Sequence, residues 1–242
     1  MGRVTPSIVS ALCCALTASA CTEDAAGDGD VTVTVYGEDF IEVGIPADEM
    51  ADGWAVTFDR FDVSIDQIII GGVRIPATGA VDISAETGGA GHQLATAKVP
   101  VGEHTGSSFA IARVELSGSA TRDGVTKTFA WTFDQETHYD SCEPTTSVAR
   151  GEDATFQVTV HADHYFYDSL VSEEPALAFQ ALADADADAD GVITRAELEV
   201  ADIGSYDPGS DGGIDDLWSW LVAQNRTLGH VDGEGHCDSH AH

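Results

Sequence analysis

The stretch VTVTVY, residues 31–36, alternates apolar and polar side chains without a break, and this two-residue period recurs up to residue 160. Successive side chains of a strand point to opposite faces, so each such run offers one face to a core. WAVTFDRFDVSIDQIII, residues 54–70, carries Val56, Phe58, Phe61, Val63 and Ile65 on shifting faces, as in a long bent strand or a strand pair. FAIARVELSG, KTFAWTFDQ and ATFQVTVHAD add further runs rich in β-branched and aromatic residues. Gly-rich breaks separate them, and Asp123-Gly124 within SGSATRDGVTK is a hairpin signal. No helical pattern of about 10–15 residues lies between these runs, which argues against a parallel α/β sheet. The pattern predicts a mainly β chain: an antiparallel β-sandwich over residues 31–167, immunoglobulin-like or transthyretin-like in architecture, with an α region after it.

After Tyr167 the period lengthens. SEEPALAFQALADA predicts a helix that starts at Ser172, with Glu173, Glu174 and Pro175 in its first turn. ITRAELEVADI and IDDLWSWLVAQNRTLG are two more helical patterns, and Leu217, Trp220 and Leu221 share a face of the second. Residues 168–228 therefore read as a small helical module. Residues 229–242 have no period and read as a histidine-rich tail.

The charge is concentrated in a way that suggests cations. The formal net charge is −32, from 42 acidic and 10 basic side chains. Nucleic-acid phosphates and anionic membrane surfaces would be repelled. Within ADADADADGVITRAELE, residues 183–199, one frame satisfies a calcium loop. With Asp186 first, Asp188 and Asp190 fall at positions 3 and 5, Gly191 at the sharp turn, Val192 at 7, Ile193 at the packing position, Thr194 at 9 and Glu197 at 12. A slip that starts at Asp184 puts Ala189 at the turn, Gly191 at the packing site and Arg195 where the bidentate carboxylate belongs. Gly191 and Glu197 thus set the register. The segment resembles the EF-hand family over its helix, loop and helix. The resemblance implies Ca²⁺ held by Asp186, Asp188, Asp190, Val192, Thr194 and Glu197, with an affinity of ~10⁻⁴ to 10⁻³ M. A partner loop could run from Asp207 through Gly209, Asp211, Gly212 and Ile214, but its last position is Trp218, which cannot chelate. A Gly-rich turn before an Asp-capped helix is the other reading of that segment.

The first residues read as a targeting segment. Arg3 supplies the positive start, IVSALCCALTASA the apolar stretch, and Cys21 follows small residues. LTASAC resembles the lipobox of bacterial lipoproteins, with Ala18 in the place that is most often leucine. The resemblance implies cleavage after residue 20, lipidation of Cys21, a tether over residues 21–30, and a protein exported to the outer membrane or cell surface. Its only membrane contact would be the lipid. An ordinary secretory signal cleaved near Ala20 also exports the chain. With Cys21 lipidated, Cys142 and Cys237 remain, and in an oxidising compartment they most simply form one disulfide.

Nine histidines are unevenly placed. His161 and His164 end the last long β run, and His230 and His236 lie near Cys237. These four are the candidate ligands of a second metal, Zn²⁺ or Cu²⁺, since imidazoles with a carboxylate suit both ions. The spacing matches no zinc signature, and a polar strand end with a frayed tail would look the same. The chain carries no G-x-S-x-G elbow, phosphate-cradling glycine loop or dinucleotide fingerprint. Three functions remain on this reading. The first is a non-enzymatic, calcium-binding exported lipoprotein whose ion is mainly structural. The second is a transition-metal-binding protein, and the third an adhesion or assembly module.

Overall fold

The computed structural model describes Met1, residues 27–76 and residues 79–241. The expected signal segment apart from Met1, Cys21 with its expected lipid, residues 22–26 of the expected tether, and His242 lie outside the described residues. The chain is mostly β, with short helices near its C-terminal end.

The first strand, β1 (Asp28–Tyr36), leads into a short helix α1 (Glu38–Glu42) and the long β2 (Ala55–Ile70). Then come β3 (Val73–Ile75), β4 (Ala80–Asp82), β5 (His92–Pro100), β6 (Gly102–His104) and β7 (Ser108–Arg122). β8 (Val125–Phe133), β9 (Thr137–Asp140), β10 (Thr146–Val148) and β11 (Asp153–Val160) follow, and a 3₁₀ turn at Asp163–Phe166 closes this part. The remainder holds α2 (Gln180–Asp184), β12 (Val192–Ile193), α3 (Arg195–Leu198), α4 (Leu217–Gln224), β13 (Gly229–Val231) and β14 (Asp238–Ala241).

Among the described residues the strands form a four-stranded sheet ordered β13-β11-β1-β5, an eight-stranded sheet, and the small pair β10-β6. The larger sheet runs β12-β8-β7-β2-β3, with β4 beside β2, β9 beside β7, and β14 beside β9. Val31, Val33, Val35, Phe156 and Val158 of the smaller sheet share one apolar core with Phe61, Val63, Leu116 and Trp131 of the larger. Each such burial is worth about 1.5–3 kcal/mol before chain entropy is charged against it. β7 and β8 meet through Asp123-Gly124, both at positive φ (51° and 81°), as the hairpin signal predicts. Gly229 lies between the sheets: a Cβ there would come within 2.8–3.0 Å of the Tyr139 and Phe109 rings, which stack on each other. Cys142 and Cys237 lie at disulfide distance, 2.03 Å between sulfurs.

Four features differ from the sequence reading. Pairing is not wholly antiparallel, because β1 and β11 run parallel, as do β12 and β8. Alternation specifies which face a side chain takes but not the direction of the neighbouring strand. β1 starts at Asp28, inside the expected tether, because its backbone ladder with β5 runs on to Asp28 opposite Pro100, with Lys98 and Asp30 paired beside it (2.7 Å).

The helix expected from Ser172 begins only at Gln180. Before it, Ala178 N–H donates to Phe166 O (2.8 Å) and Asp168 N–H to Ala176 O (3.0 Å), so residues 176–178 spend their backbone groups on neighbouring chain. The Asp52 carboxylate then accepts from Phe179 and Gln180 N–H at 2.7 and 2.6 Å, which starts the helix there. The expected tail is the fourth difference. β13 pairs with β11, and β14 pairs with β9. Strands this short cannot display a period, and only their partners define them.

Phe179, Leu182, Ile193, Leu198, Leu217, Trp220 and Leu221 belong to the same apolar core as the sheets. The helical segments are therefore packed on the β layers. Asp52→Ala removes an acceptor for two backbone N–H groups and should lower stability by about 1–2 kcal/mol in urea denaturation, with Asp52→Asn recovering part of the loss.

Candidate metal centres

The loop after α2 is closed by its own carboxylates. Asp186 accepts from Asp190 N–H (3.2 Å) and Gly191 N–H (3.0 Å), and Asp188 from Asp190 N–H (3.2 Å). Asp190 Oδ1 accepts from Val192 N–H at 2.8 Å. Gly191 sits at φ 88°, a backbone state that glycine takes without strain. Glu197 reaches back over the loop, one oxygen accepting Ala187 N–H (3.0 Å) and the other Thr194 N–H (2.9 Å). Thr194 also caps α3 through Glu197 N–H, completing a capping box.

One carboxylate oxygen each of Asp186, Asp188 and Glu197 lies within 4.8 Å of the others. Asp190 is outside this group. Thr194 Oγ1 is engaged with Glu197 (2.7 Å), and Ile193 is buried.

The loop's strand partner comes from the β layers. Val192 and Ile193 pair in parallel with Thr128 and Phe129 of β8, and Trp131 Nε1–H donates to Ile193 O at 3.4 Å. The segment 207–218 does not form this ladder. There Asp216 caps α4 through Ser219 N–H (2.8 Å), and Trp218 stacks on Phe133 with centroids 5.0 Å apart. A turn before an Asp-capped helix describes it.

Lys127, also on β8, pairs closely with Asp186. This bond is the main cause holding the Asp186 carboxyl below its usual range. Glu197 is likewise held low, first by the Thr194 backbone N–H. Both are ionised at neutral pH, so the loop presents fixed negative charge to a cation.

The histidine candidates converge at the ends of three strands. Thr159 of β11 pairs with Tyr36 of β1 on one side and with His230 of β13 on the other. His161 follows β11, and the 3₁₀ turn brings His164 round beside it. Ring centroids are 4.3 Å apart for His161–His230 and 5.4 Å for both His161–His164 and His164–His230. His236 is exposed, its ring 5.4 Å from His230. His240 pairs with Asp140 at 3.7 Å on β14, as a strand residue rather than a tail.

Sequence reasoning preferred four imidazoles as ligands, and three carboxylates join them in the structure. Glu38 Oε2 is 3.1 Å from His161 Nδ1, Asp163 Oδ1 is 3.9 Å from the same nitrogen, and Glu234 shares a ligand-distance group with His161 and His230. Asp163 and Glu234 had a signal in sequence, their closeness to His161, His164 and His230. Glu38 had none, because only the β1–β11 pairing brings it there.

Burial pushes His164 and His230 down to about 3, and it pushes Glu38 up to about 7. The exposed large hydrophobic residues among those described are aliphatic: Val43, Val125, Val171, Val192, Val200, Ile69 and Met1. Comparison with protein-family models, with curated proteins and with solved structures found no match for this chain.

The pH dependence of the metal-free chain follows from these shifts. The two histidines fold neutral, so their contribution is complete above pH 6.5 and is lost as pH falls from 6.5 toward 3. Glu38 acts oppositely, its contribution being complete below 4.5 and lost as pH rises through about 7. Two protons taken up by the unfolded chain outweigh one held by the folded chain. Urea midpoints with chelator present should be lower at pH 5 than at pH 7.5; the reverse order would mean that the histidines are not buried neutral.

Proposed function

We propose that this protein is a calcium-binding exported lipoprotein, a β-sandwich carrying one EF-hand-like loop whose ion is mainly structural. The observation that carries the reading is the convergence of Asp186, Asp188 and Glu197 within 4.8 Å on a loop turned at Gly191. These are oxygen donors only, the set a hard cation prefers. Two sheets burying their faces in one core support the sandwich. The Cys142–Cys237 pair supports an oxidising compartment, and so export.

A structural role follows from what the loop is paired with. In a two-handed module the loops pair with each other and move together. Here β12 is an edge strand of the larger sheet, so an ion in the loop stiffens that edge, and the described residues offer it no second hand to open. Lys127 neutralises part of the loop charge, and Ca²⁺ must compete with it for Asp186.

Calorimetry of the full chain should show one Ca²⁺ bound with a Kd on the order of 10⁻⁴ to 10⁻³ M. Glu197→Gln should weaken it at least ~10-fold, because the bidentate ligand is lost. An unchanged affinity in that variant would sink the loop as the site. Lys127→Met should act the other way and tighten Ca²⁺ roughly tenfold, since a neighbouring positive charge at low exposure opposes the ion.

A further inference from the structure

We infer that a second metal site, independent of the calcium loop, lies where β1 and β11 end and β13 begins: a divalent transition ion of the Zn²⁺ or Cu²⁺ class takes its ligands from a pool of three imidazoles, His161, His164 and His230, and three neighbouring carboxylates, Asp163, Glu38 and Glu234. The donor set separates it from the loop, since imidazole suits zinc and copper while calcium takes oxygen.

The hydrogen bonds orient two of the rings for ligation. Thr227 donates its hydroxyl proton to Gln224 O (2.8 Å), so the same oxygen must accept from His164 Nδ1–H, also at 2.8 Å. That assigns the tautomer and leaves the lone pair on His164 Nε2. A ligating histidine held through its other N–H by a neighbour is the usual outer-shell arrangement of metal sites. His161 Nε2 faces Gly233 O at 3.4 Å, and a carbonyl can only accept, so Nε2 carries a proton, and in the neutral ring the lone pair is then on Nδ1. That lone pair faces Glu38 Oε2 at 3.1 Å and Asp163 Oδ1 at 3.9 Å. Three acceptor atoms turned on one another require a proton or a cation among them.

Two atoms of the cluster carry independent weight. His230 Nδ1 and Asp163 Oδ1 are buried and have no hydrogen-bond partner among the described residues, and the two side chains belong to residues only 8% and 9% exposed. Buried polar atoms are nearly always paired, so two orphans in one cluster of ligand-type residues point to a missing partner. The other Asp163 oxygen is fixed by the Tyr167 hydroxyl at 2.8 Å. Ligand atoms of His161, Asp163 and His164, and of His161, His230 and Glu234, lie within 4.8 Å of one another. Donors around a tetrahedral zinc sit roughly 3.4 Å apart, so ligation requires these side chains to close in. A cleft of about 320 Å³ lined by Tyr36, Glu38, Asp39 and Phe40 gives solvent a route to the Glu38 side.

The test titrates the full chain with Zn²⁺, and separately Cu²⁺, in calcium-containing buffer. One equivalent should bind, and His164→Gln or Asp163→Asn should each weaken it at least ~10-fold. Glu197→Gln, which disables only the calcium loop, and His240→Ala, which removes an exposed imidazole, should leave it unchanged. Because His164→Gln can also disturb packing, long-range ¹H–¹⁵N spectra of the unmodified chain provide a second measurement. Zn²⁺ should move the unprotonated ring nitrogens of His161, His164 and His230 and leave those of His92 and His104 in place. Absence of stoichiometric binding, binding that persists at full strength in His164→Gln, or binding abolished by His240→Ala would each overturn the site.

Discussion

The parallel ladder between β1 and β11 is the pairing on which the rest depends. Its register, from Asp30 opposite Asp153 to Tyr36 opposite Thr159, makes both strands end at the same place. Val31, Val33 and Val35 lie on it beside Phe156 and Val158, all fully buried, so the ladder carries one wall of the core. A slip by one residue would turn each of these to the wrong face. The same register brings Glu38 to His161, two elements separated by most of the β region. β13 then adds on the free side of β11, antiparallel, and delivers His230 opposite Thr159. A packing requirement in the middle of the sheet thus sets a chemical neighbourhood at its end.

The second neighbourhood is built by a different economy. The chain carries a large excess of acidic groups, and in the 186–197 loop Asp186 and Glu197 are held ionised by backbone N–H groups and, for Asp186, by one lysine. Lys127 comes from β8, the strand that also pairs with Val192 and Ile193. Backbone pairing and charge pairing therefore bring the loop to the same edge. Ile193 closes the contact by burying its side chain in the common core, while Val192 stays at the surface.

Legibility differed between the parts for physical reasons. The hairpin at Asp123-Gly124 and the turn at Gly191 were legible because each depends on residues within a few positions. The long β2 was legible as either a bent strand or a strand pair, and its bulges between Phe58 and Arg60, Ser64 and Ile65, and Asp66 and Ile69 account for the shifting faces of the single strand found. The helix start failed because Asp52, more than a hundred residues earlier, overrides the local signals at Ser172. The C-terminal segment failed for a related reason: three- and four-residue strands take their identity from β11 and β9. His161, His164, His230 and His236 could be nominated from composition, but their grouping could not, and His236 remained at the exposed rim.

By itself, the sequence determined the β character of the region up to residue 160, the turn of the acidic loop at Gly191 and the cysteine pair, since each rests on short-range periodicity, on backbone constraints of glycine, or on a count. Tertiary structure alone decided strand direction, the docking of the loop on β8, and the gathering of three histidines with Glu38, Asp163 and Glu234. Those depend on pairing between segments far apart in the chain. A strand's alternation says which face it buries; it carries no information about which neighbour it will meet, or in which direction.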